Sequence, residues 1–131
     1  MAYSTLPTDD MGIMQAAEAG VAYGAYQPVL EHKGLASKDW ARLLHVSERT
    51  LQRIQQDRRS LDTEASERLL EVNRLFAHGA EVFGTEERFL QWAGRAVYSL
   101  GRRRPLDLMQ TLAGMRILHT ELGRIQHGMP A

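Results

Sequence analysis

The sequence predicts an all-α protein in which an N-terminal helix-turn-helix lobe is joined by a connecting helix to a small helical C-terminal lobe. Three observations support this prediction. Apolar residues recur three and four positions apart through most of the chain, which is the period of an amphipathic helix. No segment alternates apolar and polar residues with a period of two, so β-strands are not expected. Ser, Thr and Asp precede the periodic segments, where helix N-caps are expected.

Size and composition narrow the possible classes of protein. The chain has 131 residues, 44% of them hydrophobic, which is enough for one core or two small lobes. Cysteine is absent, which excludes disulfides, thiolate metal sites and a cysteine nucleophile, and favours a reducing cytoplasm. The N-terminus MAYSTLPTDD has no signal-peptide pattern, and charges interrupt every long apolar stretch. We therefore expect a cytoplasmic protein that does not contact a membrane.

The chain is expected to contain three segments. Residues 1–26 are predicted to be a flexible N-terminal arm or a short helix, because several glycines interrupt any longer one. Residues 27–79 are predicted to form the helix-turn-helix domain, and residues 80–131 the C-terminal domain. A connecting helix is expected to begin near Asp62 and to end at Gly84.

Residues 37–56 are predicted to form two short helices joined by a tight turn. Ser37 is the expected N-cap of the first helix, which should end near His45, and Ser47 is the expected N-cap of the second. Ala41 is small enough for the two helices to cross closely. Such turns often carry Gly where this chain has His45, but His tolerates a positive φ better than most residues. The pattern predicts a helix-turn-helix.

The second helix of this pair carries side chains suited to reading DNA. Arg can pair with guanine and Gln with adenine in the major groove, so Arg49, Gln52 and Arg53 are predicted to contact bases. Arg58 and Arg59 are predicted to contact phosphates. The complete predicted DNA-binding set is Ser47, Arg49, Thr50, Gln52, Arg53, Gln56, Arg58 and Arg59.

The distribution of charge supports this interpretation. The whole chain has a formal net charge of zero, with 16 Lys and Arg against 16 Asp and Glu. Residues 37–59 carry six positive and three negative side chains, which leaves a local excess of three positive charges. An ordinary helical hairpin with a solvated, charged face is the alternative.

A second group of candidate binding residues lies in the C-terminal lobe. A helix with Thr85 as its expected N-cap should continue to Leu100 and Gly101, and three arginines follow in a loop. Thr111 is expected to cap a final helix. The residues that this lobe would offer to a partner protein are Arg102, Arg103, Arg104, Arg124, His127 and Gly128. In the alternative interpretation, the arginines only solubilise a loop, and Leu118, Leu122 and Ile125 belong to an ordinary core.

No catalytic, metal or cofactor site is predicted, so the chain is not expected to be an enzyme. The five histidines are scattered without a His-x-x-x-His pair, which argues against zinc. The acidic pairs Asp9–Asp10 and Glu86–Glu87 consist of adjacent residues, whose side chains point in different directions on a helix. No Gly-rich loop is followed by the Lys-Ser/Thr of a phosphate-binding motif.

The order of these parts resembles the Xre/MbcA/ParS family of antitoxins, the partners of RES-domain toxins. DWARLLHVSERTLQRI with SLDTEASERLLEVNRLFAHGAEVFG is similar to the Xre-like part of the family, and LGRRRPLDLMQTLAGMRILHTELGRIQHG is similar to its toxin-binding module. That module has a Leu-Gly-Gly loop, a Pro, a Thr-x-x-Gly step and a Leu-Gly-Arg-Ile ending. These features match Leu100-Gly101, Pro105, Thr111 with Gly114, and Leu122 to Ile125. Arg102 stands where the family usually has its second Gly.

The resemblance implies an antitoxin of a type II toxin–antitoxin system. Its partner would be a RES-domain toxin that consumes NAD or transfers ADP-ribose, and the antitoxin would cover the toxin's active site and repress the shared operon. A homodimer within a toxin–antitoxin hetero-oligomer is expected, because helix-turn-helix proteins usually read paired half-sites. A stand-alone transcriptional regulator and an adaptor that does not bind DNA are the alternatives.

Overall fold

A computed structural model describes residues 6–128 of the chain. Eight α-helices, one 3₁₀ helix and no β-strand are found in that range, which confirms the predicted all-α class. The elements are α1 (Asp10–Ala19), α2 (Tyr23–Glu31), α3 (Ser37–Leu44), α4 (Glu48–Gln56), α5 (Thr63–Phe83), α6 (Glu86–Ala93), the 3₁₀ helix Tyr98–Leu100, α7 (Pro105–Leu108) and α8 (Leu112–Gln126).

The structure divides between Asn73 and Arg74, within α5, into two compact units. In the first unit, α4 contacts both α2 and α3, and its core includes Leu30, Trp40 and Leu51. None of the helices in the described part of the chain is long and apolar enough to cross a membrane.

The first of these helices, α1, lies within the segment predicted to be a flexible arm or a short helix. The Asp9 side chain caps it by accepting a hydrogen bond from the Gly12 N–H at 3.0 Å. Ile13 and Ala17 are buried on its inner face, and Leu6 is buried just before it. The helix is therefore held by a cap and by apolar packing.

Buried Ser66 links the start of α5 to the segment that precedes α2. Its hydroxyl accepts a hydrogen bond from the Val21 N–H at 2.8 Å and donates one to the Leu61 carbonyl at 3.2 Å. The Leu61 N–H in turn donates to the Val21 carbonyl at 2.8 Å. These bonds satisfy polar groups that would otherwise be costly to bury.

Three of the predicted N-caps are confirmed. The hydroxyls of Ser47, Thr85 and Thr111 each accept a hydrogen bond from the N–H three residues later, at 3.0, 3.1 and 2.9 Å. The prediction for α3 was wrong, because Ala36 is its N-cap and Ser37 is its first helical residue. The reason is Asp39, whose carboxylate accepts a hydrogen bond from the Ala36 N–H at 3.1 Å.

The helix predicted to reach Leu100 and Gly101 ends earlier, at Ala93, so that prediction was also wrong. Gly94, which has a low helix propensity, is its C-cap. Val97 is extended and forms an isolated antiparallel bridge with Arg103, in which the Val97 N–H donates to the Arg103 carbonyl at 2.9 Å. The bridge requires extended backbone, which a continuing helix would not provide.

Aromatic packing holds α6 against the C-terminal end of α5. Phe76 and Phe89 are fully buried and meet edge to face, with ring centres 5.1 Å apart. Phe83 and Trp92 lie at 5.3 Å. The core of this second unit also contains Leu118 of α8.

Candidate nucleic-acid and protein interfaces

The turn between α3 and α4 has the geometry of a helix-turn-helix. His45 adopts the left-handed conformation, with φ 60° and ψ 39°, as expected for a residue in the place of the usual Gly. The Val46 N–H donates a hydrogen bond to the carbonyl of buried Ala41 at 3.0 Å. The chain therefore reverses within a few residues and begins α4 at its Ser47 cap.

One face of α4 carries the side chains predicted to read DNA. Arg49, Gln52, Arg53 and Gln56 are all exposed, and their spacing of three and four residues places them on the same side of the helix. Leu51 is buried and fastens the helix to the core. The helical spacing of apolar and polar positions along α4 thus produces a basic and amide-bearing surface on a helix that is packed on the core.

The other predicted DNA-binding residues lie at the two ends of α4. The hydroxyls of Ser47 and Thr50 are 2.9 Å apart at its N-terminus, where Ser47 serves as the cap. Arg58 follows the helix with a left-handed φ of 53°, and the Arg59 guanidinium lies 3.8 Å from the Asp57 carboxylate, with both side chains largely exposed. The structure brings the whole predicted set to α4 and its flanks.

Arg58 and Arg59 also border a pocket of about 390 Å³ between the end of α4 and the start of α2. Gln27 and Gln55, which are joined by a hydrogen bond, line it together with small residues of α2. The pocket wall is therefore cationic and amide-rich.

The arginine loop of the C-terminal unit has an unusual backbone. Arg102, at the position where the resembled family usually has Gly, adopts a left-handed φ of 62° directly after Gly101. Its guanidinium lies 5.5 Å from the centre of the Tyr98 ring, within the range of a cation–π contact. Arg104 is held differently, since two of its nitrogens donate to the Asp107 carboxylate at 2.9 and 3.1 Å.

The predicted partner-binding residues at the end of the chain are exposed. Arg124, His127 and Gly128 lie at or just beyond the last turn of α8. Leu118 is fully buried, as expected for core, whereas Ile125 is exposed. The end of α8 therefore presents both polar and apolar side chains to solvent.

Sequence reasoning missed a histidine pair that joins α5 to α8. The Nδ1 atoms of His78 and His119 are 2.8 Å apart, the ring centres are 5.1 Å apart, and the planes differ by only 14°. These distances require the rings to lie edge to edge, so that one Nδ1–H donates to the other Nδ1. His78 Nε2 is also 3.3 Å from Gln126 Oε1. No local pattern reveals the pair, since its members are 41 positions apart.

The environment of this pair disfavours a charge on His119. Burial, and then the electrostatic effects of His78 and Arg74, lower the pKa of His119 from 6.5 to about 4. In the described residues, no group of three or more His, Cys, Asp and Glu could hold a metal ion.

A buried carboxylate was also missed. Glu121 of α8 accepts a hydrogen bond from the Ser99 hydroxyl at 2.8 Å. This bond ties the 3₁₀ helix, and with it the neighbouring Tyr98, to α8. A Glu among the apolar residues of a predicted amphipathic helix is the signal that could have pointed to a buried polar contact.

Two family models match the chain. The model of the antitoxin Xre-like helix-turn-helix domain matches residues 12–74, and that of the antitoxin Xre/MbcA/ParS C-terminal toxin-binding domain matches residues 78–128. The chain belongs to the Xre/MbcA/ParS family of antitoxins. This antitoxin therefore combines a DNA-binding helix-turn-helix domain with a toxin-binding domain. No curated protein matches the chain.

Proposed function

We propose that this antitoxin neutralises a RES-domain toxin by covering the toxin's active site, and that it represses its own operon as a homodimer. The observation that carries the proposal is the succession of the two matched domains, each of which has an exposed polar surface suited to its task. A toxin-binding domain after the helix-turn-helix also favours an antitoxin over a stand-alone regulator.

We assign binding of the toxin to the arginine loop and to the end of α8. Arg124, His127 and Gly128 are exposed where α8 ends, so these are the residues of the helix that would enter the substrate cleft of the toxin. Arg102 and Arg103 add exposed side chains in the loop, and Arg104 adds an ion pair with Asp107 that stiffens it. Inhibition would result from steric exclusion of NAD, with no chemical step performed by the antitoxin.

We assign binding of operator DNA to α4. Arg49, Gln52, Arg53 and Gln56 would face base edges in the major groove, where Arg reads guanine and Gln reads adenine. Ser47, Thr50, Arg58 and Arg59 would contact the phosphates that flank the groove. Two copies of α4 would read half-sites separated by about one helical turn, roughly 34–36 Å, which is why a homodimer is proposed.

The test is co-expression with the product of the neighbouring gene, followed by copurification and an assay of NAD consumption with and without the antitoxin. We expect a stable complex in which NAD turnover is silenced. Failure to form a complex would contradict the toxin partnership. A complex that still turns over NAD would contradict active-site covering while leaving the partnership intact.

A further inference from the structure

The C-terminal unit exposes large hydrophobic side chains that have no role in its core. In the described part of this unit they are Tyr98, Ile117 and Ile125, which are 82%, 51% and 36% exposed. Single exposed apolar residues are common on protein surfaces, but several within one region often mark a binding site. Whether these three side chains form one binding surface therefore depends on where they lie relative to one another.

The Ser99–Glu121 hydrogen bond ties the 3₁₀ helix that carries Tyr98 to α8, which carries Ile117 and Ile125. Glu121 is only 5% exposed, and its hydrogen bond with the half-buried Ser99 fastens the 3₁₀ helix to α8. Ile117 and Ile125 are four residues before and after Glu121, on the same side of the helix. Tyr98 is adjacent to Ser99, so the segment that carries it is tied to the turn of α8 between the two isoleucines.

The segment of the chain that carries these three residues is predominantly positive. Residues 95–128 contain six arginines against Asp107 and Glu121, an excess of four positive charges. Asp107 is paired with Arg104, and Glu121 is buried against Ser99, so neither offers a free carboxylate to a partner. The Arg102 guanidinium lies over the exposed Tyr98 ring, 5.5 Å from its centre.

We propose that Tyr98, Ile117 and Ile125, together with Arg102, form the main contact surface for the toxin, with Tyr98 as its anchor. We call these four residues the Tyr98 surface. The toxin would present an apolar recess for the Tyr98 ring, bordered by carboxylates that pair with the arginines. The inference rests on the proposed function, since it assumes that a toxin is the partner.

Two observations favour the toxin as the occupant. All four residues lie within the range matched by the toxin-binding domain model, residues 78–128. Exposed Tyr and Arg side chains in contact are also the residue types that dominate binding energy at protein interfaces. DNA would be contacted by the arginines alone and would leave Ile117 and Ile125 in water.

The test measures the dissociation constant of the complex between the antitoxin and the purified toxin encoded by the neighbouring gene. Tyr98→Ala should raise this constant by about 30-fold or more, as expected for loss of an interface anchor. Tyr98→Phe keeps the ring and should change it only a few-fold. Met11→Ala is the matched control, because Met11 of α1 is 59% exposed and lies outside the toxin-binding domain. Thermal unfolding of each variant verifies that it is folded.

The outcomes separate this inference from the proposed function. If the wild-type antitoxin binds and silences the toxin but Tyr98→Ala binds equally well, the Tyr98 surface is wrong and the proposed function stands. The surface is also wrong if Tyr98→Ala weakens DNA binding instead of toxin binding, or if Met11→Ala weakens toxin binding as much. If the wild-type antitoxin does not bind the toxin, both proposals are overturned.

Discussion

Two glycines of α8 show how the surroundings of a residue decide the effect of one methyl group. A Cβ added to Gly114 would lie 1.8 Å from the Leu108 carbonyl oxygen, which is backbone and cannot rotate away. Gly123 is also in α8, but nothing lies within 4 Å of the position of its Cβ. The first glycine is required by the packing of α7 on α8, and the second is not.

We predict opposite effects of alanine at these two positions. Gly114→Ala should lower the free energy of unfolding by roughly 1–3 kcal/mol, because α7 must shift to relieve the overlap. Gly123→Ala should raise it by roughly 0.5–1 kcal/mol, because alanine loses less backbone entropy in a helix. Urea denaturation of the two variants measures both changes. Equal effects of the two substitutions would contradict the packing argument.

At the scale of elements, the histidine pair makes the association of α5 with α8 sensitive to acid. His119 has a folded-state pKa of about 4 against an ordinary value of 6.5, so between these pH values the unfolded chain binds more protons than the folded one. Stability therefore falls as the pH falls through this window and is unaffected by His119 above it. After burial, the electrostatic effects of His78 and Arg74 further disfavour the charged form of His119.

The corresponding prediction concerns the pH dependence of unfolding. The urea midpoint of the wild-type protein should fall between pH 6.5 and pH 4.5, and His119→Phe should reduce this fall because it removes the group that must be protonated. His32→Ala provides the control, since His32 is exposed at the end of α2. An unchanged pH dependence in His119→Phe would show that other groups cause the acid sensitivity.

At the scale of the whole molecule, the predicted contacts for DNA and for toxin fall in different units. The DNA-binding set ends at Arg59 and the proposed toxin contacts begin at Tyr98, on either side of the division between Asn73 and Arg74. Each unit has its own buried core. A substitution that disrupts one binding surface should therefore leave binding by the other surface intact.

We predict that substitution and truncation separate the two activities. Arg49→Ala should weaken operator binding by roughly 1–3 kcal/mol through loss of a base contact, while inhibition of the toxin persists. Deletion of residues 124–131 should release toxin activity and preserve DNA binding. Gel-shift titration and NAD consumption measure the two activities. Lys38→Ala removes a charge of α3 outside the predicted set and should weaken operator binding less than Arg49→Ala. Loss of toxin inhibition in Arg49→Ala would contradict the division of labour.

Features with local causes could be predicted from the sequence. The caps at Ser47, Thr85 and Thr111, the turn at His45 and the polar face of α4 depend on residues within about one helical turn of each other. The α3 cap was misassigned because both Ser37 and Asp39 are favourable near a helix start, and only the observed hydrogen bond distinguishes their positions.

The sequence by itself determined the helical class, the helix-turn-helix and the family. Only the tertiary structure decided that α6 ends at Ala93, that His78 meets His119, and that Glu121 is buried against Ser99. The two side-chain contacts join residues 41 and 22 positions apart, and the Val97–Arg103 bridge forms only when the intervening chain turns back. Local sequence patterns show the hydrophobic period and the helix caps. Contacts between residues that are remote in the chain depend instead on how the helices pack, because packing sets the distances between those residues.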